Sequence, residues 1–231
     1  MKTEMRPLRL RIEAAVAATT LVVLSPLLAA IAVAIYLSDP GCVFYMADRA
    51  GLRGAPFRMF KFRTMYAASE GSRIAAQGDP RIFPFGRLLR RLRLDELPQL
   101  INIMRGQMAF AGPRPEDPWI VEHLYSADDR ETLDVLPGLT SPGTLYYVTQ
   151  AEQHINPGDA EAAYVAGPLR RKLELDRVYV REASAWRDFR LVAETLWVLV
   201  NLVTLRAGRK PGGGAEAPAP RELSLSRHPE Q

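Results

Sequence analysis

Residues 14–37 read AAVAATTLVVLSPLLAAIAVAIYL, 24 residues without one charged side chain, and how this run is placed decides what kind of protein the chain is. As a helix rising about 1.5 Å per residue it would reach roughly 36 Å, enough to cross the hydrocarbon core of a bilayer. A cleaved signal peptide shares the basic start and offers Ala30-Ile31-Ala32 as a small-residue cleavage site. Its apolar stretch, however, is usually only about 7–15 residues. Ser25-Pro26 stands near the centre of the run. Proline lacks a backbone donor and clashes with the carbonyl four residues back, which predicts a kink or break there. The serine hydroxyl can satisfy backbone that proline frees.

Both flanks of the run are basic. Lys2, Arg6, Arg9 and Arg11 precede it, and Arg49, Arg53, Arg58, Lys61 and Arg63 follow it, against Asp39 and Asp48. Basic residues mark the cytoplasmic side. A helix that enters, bends at Ser25-Pro26 and leaves on the same side satisfies both flanks; a kinked full span remains the alternative.

The remainder reads as a globular domain. The 231-residue chain carries a formal net charge of +4 with 30 basic residues, a balance that suits anionic lipid headgroups or phosphorylated substrates. Nucleic acid is not the expected partner, since no zinc-ligand spacing, recognition-helix pattern or aromatic-basic RNA motif is present. Cys42 is the single cysteine, so no intrachain disulfide can form. Gly41, Gly51, Gly54 and Pro56 punctuate residues 38–63 as turns around a short hairpin. Residues 82–110 have helical spacing, with Pro98 suited to the first position of a new helix. Three prolines and a glycine make 111–118 a stiff loop. A further helix is predicted over roughly 160–180. Trp186 to Leu205 reads either as a helix on the membrane surface, with Trp186 and Trp197 at headgroup level, or as a core helix. From Ala207 the Gly- and Pro-rich composition predicts a disordered tail.

The densest polar cluster runs from Lys61 through Arg63, Arg81 and Arg90 to Asp95-Glu96 and on to Arg114. A carboxylate just ahead of a helix start is favoured in its ionised, nucleophilic form. Neighbouring side chains diverge, so one carboxylate can attack while the other holds a hard divalent cation through oxygen. Taken alone, an Asp-Glu pair before a helix is more often a solvated cap.

The order of the motifs adds to this. Gly41-Cys-Val-Phe-Tyr45, Lys61-Phe-Arg-Thr-Met65, Phe85-Gly-Arg-Leu-Leu-Arg90, Leu94-Asp-Glu-Leu-Pro-Gln-Leu100, Asn102-Ile-Met-Arg-Gly106, Gly112-Pro-Arg-Pro115 and Pro137-Gly-Leu-Thr140 follow one another. From residue 8 to about 205 this series resembles the bacterial sugar transferase family of small monotopic phosphoglycosyl transferases. The resemblance implies an α-rich α/β fold: a basic flank (1–13), a re-entrant membrane helix (14–37) broken at Ser25-Pro26, a catalytic domain (38–206) with amphipathic surface helices, and the tail (207–231). It implies Asp95 as nucleophile on the sugar-bearing phosphorus of a UDP-sugar, a phosphosugar-enzyme intermediate, release of UMP, and transfer to polyprenyl phosphate. Glu96 matches the residue that holds Mg2+. Lys61, Arg90 and Arg114, followed by Arg63 and Arg81, are the expected phosphate-binding cations. The implied place is the cytoplasmic face of a bacterial inner membrane, among its lipids, with downstream glycosyltransferases as further partners in exopolysaccharide or O-antigen assembly. The chain departs from the pattern at Ala47 (often Gln), Arg93 (usually Ser), Gln107 (often Asp) and Ser141-Pro142-Gly143 (commonly Gly-Trp-Ala). A membrane-bound phosphohydrolase and a non-catalytic scaffold are the competing readings.

Overall fold

The computed structural model describes residues 5–67, 78–152, 155 and 159–207, with side chains described over 8–201 of these. Residues 1–4 of the predicted basic flank and 208–231 of the predicted tail lie outside the described residues. Helix α1 (Met5–Ser38) contains the whole apolar run. It is the one described helix long and apolar enough to cross a membrane. The predicted break is not seen: Pro26 lies inside a single 34-residue helix. The Ser25 hydroxyl donates to the Val22 carbonyl at 2.7 Å, the local back-bond by which serine accommodates a helical proline.

The burial of α1 is more informative than its length. Ala17, Ile31 and Ile35 are buried, and partly buried Leu21 and Leu28 lie between them on the same face. These positions recur at steps of three, four and seven residues, the spacing of one helical stripe. Ala17 packs with Ala47, Met59, Leu100, Ile103 and Met108. Eighteen residues on, or about 27 Å at helical rise, Ile35 packs with Phe62, Phe83 and Leu89. The chain after α1 therefore lies alongside the helix over most of the apolar run, and the opposite face, including Val22 and Val23, is exposed.

Strands β1 (Phe44–Ala50) and β2 (Pro56–Phe62) form the antiparallel hairpin expected from the glycine pattern. Its turn places Arg53 and Gly54 at φ of 55° and 76°, and glycine takes the second at no steric cost. The predicted helical stretch 82–110 divides into α2 (Pro84–Arg91), a 3₁₀ turn at Leu94–Glu96, and α3 (Gln99–Met104). Pro98 caps α3 from one position outside rather than opening it. Strand β3 (Ala109–Ala111) pairs in parallel with β4 (Gly138–Thr140), and α4 (Pro118–Leu124) lies between them in sequence. Next come α5 (Pro142–Tyr146), a π-helical turn (Tyr147–Ala151), α6 (Ala160–Ala166) and α7 (Pro168–Glu182). Gly167-Pro168 separates α6 from α7, where one helix was expected.

Helix α8 (Ala185–Ala207) keeps both sequence readings in part. Leu191 packs with Ala111 and Tyr179, while Trp186, Phe189, Leu196, Trp197 and Val200 are exposed on the other side. Arg9 of α1 pairs with Asp188 at 2.7 Å, joining the two helices that carry exposed apolar faces.

Candidate active site

Asp95 and Glu96 sit in the 3₁₀ turn between α2 and α3. The turn is entered through Arg93 at φ 58°, a left-handed conformation uncommon for a side-chain-bearing residue. This abrupt reversal separates α2 from the turn and directs the two carboxylates inward.

Glu96 is the better partnered of the two. Arg114 grips both its oxygens, Nη1 to Oε2 at 3.0 Å, and Lys61 Nζ lies 3.4 Å from Oε1. Arg93 approaches to 4.0 Å. Burial alone would raise the Glu96 pKa, but Arg114, Lys61 and Arg93 outweigh it and hold the carboxyl well below the usual range. Asp95 is 7% exposed, and its Oδ1 is buried without a hydrogen-bond partner. Burial and the adjoining Glu96 charge push its pKa up, against Lys61, Arg90 and Arg93. The expectation that a helix start would favour its ionised form therefore meets an opposing effect: Asp95 is in a desolvated turn ahead of α3, not in its first turn.

Each cation reaches the pair from a different element. Lys61 comes from β2, and burial lowers its pKa more than Glu96 restores it. Arg90 comes from the end of α2 and donates to Thr64 Oγ1 at 2.8 Å. The contact requires α2 to press on the chain after β2, which Gly86 permits, because a Cβ there would lie 2.2 Å from the Thr64 carbonyl oxygen. Arg114 belongs to the loop after β3. That loop is bonded to β4 by Gly112 N–H to Thr140 O and by Gly138 N–H to Pro113 O, both 2.9 Å. Glycine is required in this close approach, since a Cβ on Gly138 would stand 2.1 Å from the Gly112 nitrogen. Glu116, two residues beyond Arg114, accepts from the buried Lys172 and from Tyr164, which ties the loop to α7 and α6.

Two expected phosphate-binding residues are engaged elsewhere. Arg63 donates to the Asp39 carboxylate and carbonyl and to the Cys42 and Met65 carbonyls, tying the chain just after α1 to the segment that follows β2. Arg81 forms a forked pair with Asp79, with Nη2 to Oδ2 at 2.7 Å and Nε 3.0 and 3.1 Å from the two oxygens. Lys61, Arg90 and Arg114 are brought to the acidic pair. Thr64, Arg93, Glu116 and Lys172 were not singled out from the sequence as site residues; Thr64, inside the Lys61–Met65 motif, was the most findable.

Among the described residues no group of three His, Cys, Asp or Glu side chains is placed to hold a metal ion. The adjacent carboxylates, one with an unpartnered buried oxygen, do fit a cation that takes few protein oxygens and several from substrate phosphates.

The geometry agrees with what the chain resembles. A family model for bacterial sugar transferases matches residues 5–202. A UDP-glucose:undecaprenyl-phosphate glucose-1-phosphate transferase of Caulobacter vibrioides is 36% identical, over 82% of this chain and 68% of that protein. The exopolysaccharide production protein ExoY of Sinorhizobium fredii is 38% identical over 78% of this chain and 80% of its own length. A UDP-N-acetylgalactosamine-undecaprenyl-phosphate N-acetylgalactosaminephosphotransferase of Aeromonas hydrophila is 37% identical over 74% of this chain, which spans only 38% of that longer protein. With the family match running from α1 into α8, the chain belongs to the bacterial sugar transferase family.

Proposed function

We propose that the chain transfers a sugar 1-phosphate from a UDP-sugar to undecaprenyl phosphate through a covalent intermediate on Asp95. The observation that carries this reading is a desolvated carboxylate with a free oxygen, set among Lys61, Arg90, Arg93 and Arg114. Four cations around one buried acidic pair suit a substrate with more negative charge than the protein site supplies. Phosphoryl transfer asks for positioning and for neutralisation of the oxygens around phosphorus.

In the first step Asp95 Oδ1 attacks the phosphorus that bears the sugar. The bond from that phosphorus to the bridging oxygen breaks, UMP leaves with the electron pair, and Asp95 carries the phosphosugar. In the second step an oxygen of undecaprenyl phosphate attacks the same phosphorus, releasing the Asp95 carboxylate and forming the lipid diphosphate sugar. Arg114 and Lys61, which neutralise Glu96 before substrate arrives, are the groups positioned to meet the diphosphate. Mg2+ is the proposed cofactor, held by Glu96 together with substrate phosphates, and it would supply charge neutralisation at the leaving group. Arg63 and Arg81 act one step back by holding the chain around Lys61 and Thr64.

The packing of α1 supports the proposed membrane placement. The catalytic domain packs against both ends of the apolar run, so a straight crossing would carry part of that domain into the lipid. A helix that bends at Pro26 without breaking, so that both ends face the cytoplasmic side with α8 beside it, would keep the domain in water and the exposed faces in lipid.

A burst assay tests the chemistry. With UDP-sugar alone the wild type should release about one UMP per site, leaving sugar phosphate on the peptide that contains Asp95. Asp95→Asn should lose both. Continuous UMP release without lipid phosphate would identify a hydrolase, and no release with any UDP-sugar would leave a scaffold.

A further inference from the structure

The segment after β4 reaches back to the catalytic turn from a distant part of the sequence. Ser141 caps α5 by accepting from Thr144 N–H at 2.9 Å, and Asp176 of α7 accepts from Gly143 N–H at 2.9 Å. Gly143 permits this contact, since a Cβ there would meet the Lys172 carbonyl oxygen at 2.6 Å. Helix α5 runs into the π-helical turn Tyr147–Ala151, a rare widening often found at functional sites. Glu152, closing that turn, pairs with Arg93, and Arg93 is also the residue 4.0 Å from Glu96. One guanidinium thus joins the catalytic turn to residues 147–152.

Tyr147 opens the same turn, and its carbonyl accepts from the Glu152 N–H, which sets the two residues one turn apart. Its ring meets Tyr164 edge to face at 5.6 Å, which leaves the phenol directed by packing rather than by solvent. Burial and Glu152 push the phenol pKa up to about 12, while Arg93 and Arg114 act in the opposite sense. Glu152 also acts on Arg90, which in turn faces Asp95. The Glu152 side chain is 24% exposed, so it is reachable from solvent as well as from Arg93.

We infer that Glu152, held to the catalytic turn by Arg93, and Tyr147, one turn before it, form the subsite that reads the sugar of the nucleotide-sugar donor. The inference rests on the transferase reading above and deepens it. In an in-line displacement the leaving UMP departs on the side opposite Asp95. The sugar is joined to the attacked phosphorus through one bridging oxygen, so it must sit beside Asp95 and not beyond the diphosphate. Lys61, Arg90 and Arg114 offer only donors and are matched to phosphate. Glu152 and the Tyr147 hydroxyl supply the acceptors and the adaptable donor that sugar hydroxyls need, and a carboxylate anchored by arginine on one side keeps acceptor capacity on the other. The occupant is a neutral sugar presenting hydroxyls to this wall.

Full-length enzyme in nanodiscs with undecaprenyl phosphate and Mg2+ is assayed against UDP-glucose, UDP-galactose, UDP-N-acetylglucosamine and UDP-N-acetylgalactosamine. Glu152→Ala and Tyr147→Phe, the latter keeping the ring contact with Tyr164, should lower kcat/KM for the best donor by about 10- to 100-fold, as expected when a site loses a hydrogen bond to a substrate hydroxyl. The spread among the four donors should narrow, while inhibition by UMP keeps its wild-type strength. A uniform fall for all four donors, or UMP inhibition that weakens in step, would mean a structural role and overturn the subsite. Calorimetric titration of the same variants with UDP-sugars and with UMP reads the subsite without turnover: loss of UDP-sugar affinity alone supports it, and equal loss of both or no change overturns it. A wild type that binds the UDP-sugars but releases no UMP fails the transferase reading alone. A wild type that binds none of them overturns both.

Discussion

Replacing Asp95 by asparagine should make the protein more stable while ending its activity. The side chain keeps its size, so packing in the 3₁₀ turn is undisturbed. What is lost is a charge with one buried oxygen unpartnered and a second carboxylate beside it. Leaving a buried polar group without a partner costs about 1–3 kcal/mol, and more for a charged one. Lys61, Arg90 and Arg93 return part of that, and the direction of the Asp95 pKa shows that burial and Glu96 prevail. A net gain of about 1–2 kcal/mol is therefore expected at neutral pH, which corresponds to roughly 2–8 °C in melting midpoint for a domain of this size. The sign can be checked against pH. A carboxyl whose pKa is raised above its unfolded value of 3.8 binds more protons in the native state, so its ionisation removes stability as pH rises through that window. The advantage of Asp95→Asn should be smallest at the acid end and grow as pH rises. Tryptophan-fluorescence melting in detergent, without donor or Mg2+, reads it directly. A variant that melts below the wild type at pH 7.5, or one shifted equally at every pH, would refute the reasoning.

Lys172→Met should cost about 3–5 kcal/mol because it strands the buried Glu116 carboxylate, and adding Glu116→Gln should return most of the loss; a double variant no more stable than the single one, by urea titration, would show that the pair is not the cause. Gly86→Ala should lower stability by about 1–3 kcal/mol through overpacking despite the better helix propensity of alanine, and should slow transfer by moving Arg90 off Thr64; an unchanged melting midpoint would contradict the 2.2 Å contact. Glu96→Gln should cut transfer steeply without recovery at high magnesium, and wild-type activity that survives excess chelator would remove the metal. In a Cys42→Ser background, cysteines placed by Glu4→Cys and Arg53→Cys should both be hidden from an impermeant label on intact cells; labelling at residue 4 would mean that α1 crosses the bilayer.

The elements that sequence reveals here are those with a local physical signature. The uncharged run 14–37 gives α1, and Gly51 with Gly54 gives the hairpin turn. Strands β3 and β4 escaped because three residues are too few to show alternation, and their pairing joins positions that only the folded chain brings together. The acidic pair was legible from its motif, as were Lys61, Arg90 and Arg114. The partners of Arg63 and Arg81 were not, because an arginine that grips a carboxylate reads in sequence like one that waits for phosphate. Arg63 binds Asp39 from 24 residues away, and no spacing rule predicts that contact. The break considered at Pro26 shows the opposite limit: proline removes one donor, and a serine bonded to the Val22 carbonyl goes with a helix that runs on unbroken.

The stripe of Ala17, Ile31 and Ile35 has a consequence for how the molecule comes into being. Helix α1 leaves the ribosome before the residues that cover its inner face, from Ala47 to Met108, are synthesised. On the proposed membrane placement the helix rests at the lipid surface in the interval with that face uncovered, and the domain then assembles on it as on a template. Transfer from lipid to protein interior gains little from the hydrophobic effect, so close packing must drive the docking. The anchor and the enzyme are therefore one folding unit. Removing α1 to obtain a soluble catalytic fragment would open two of the buried clusters rather than release a finished domain.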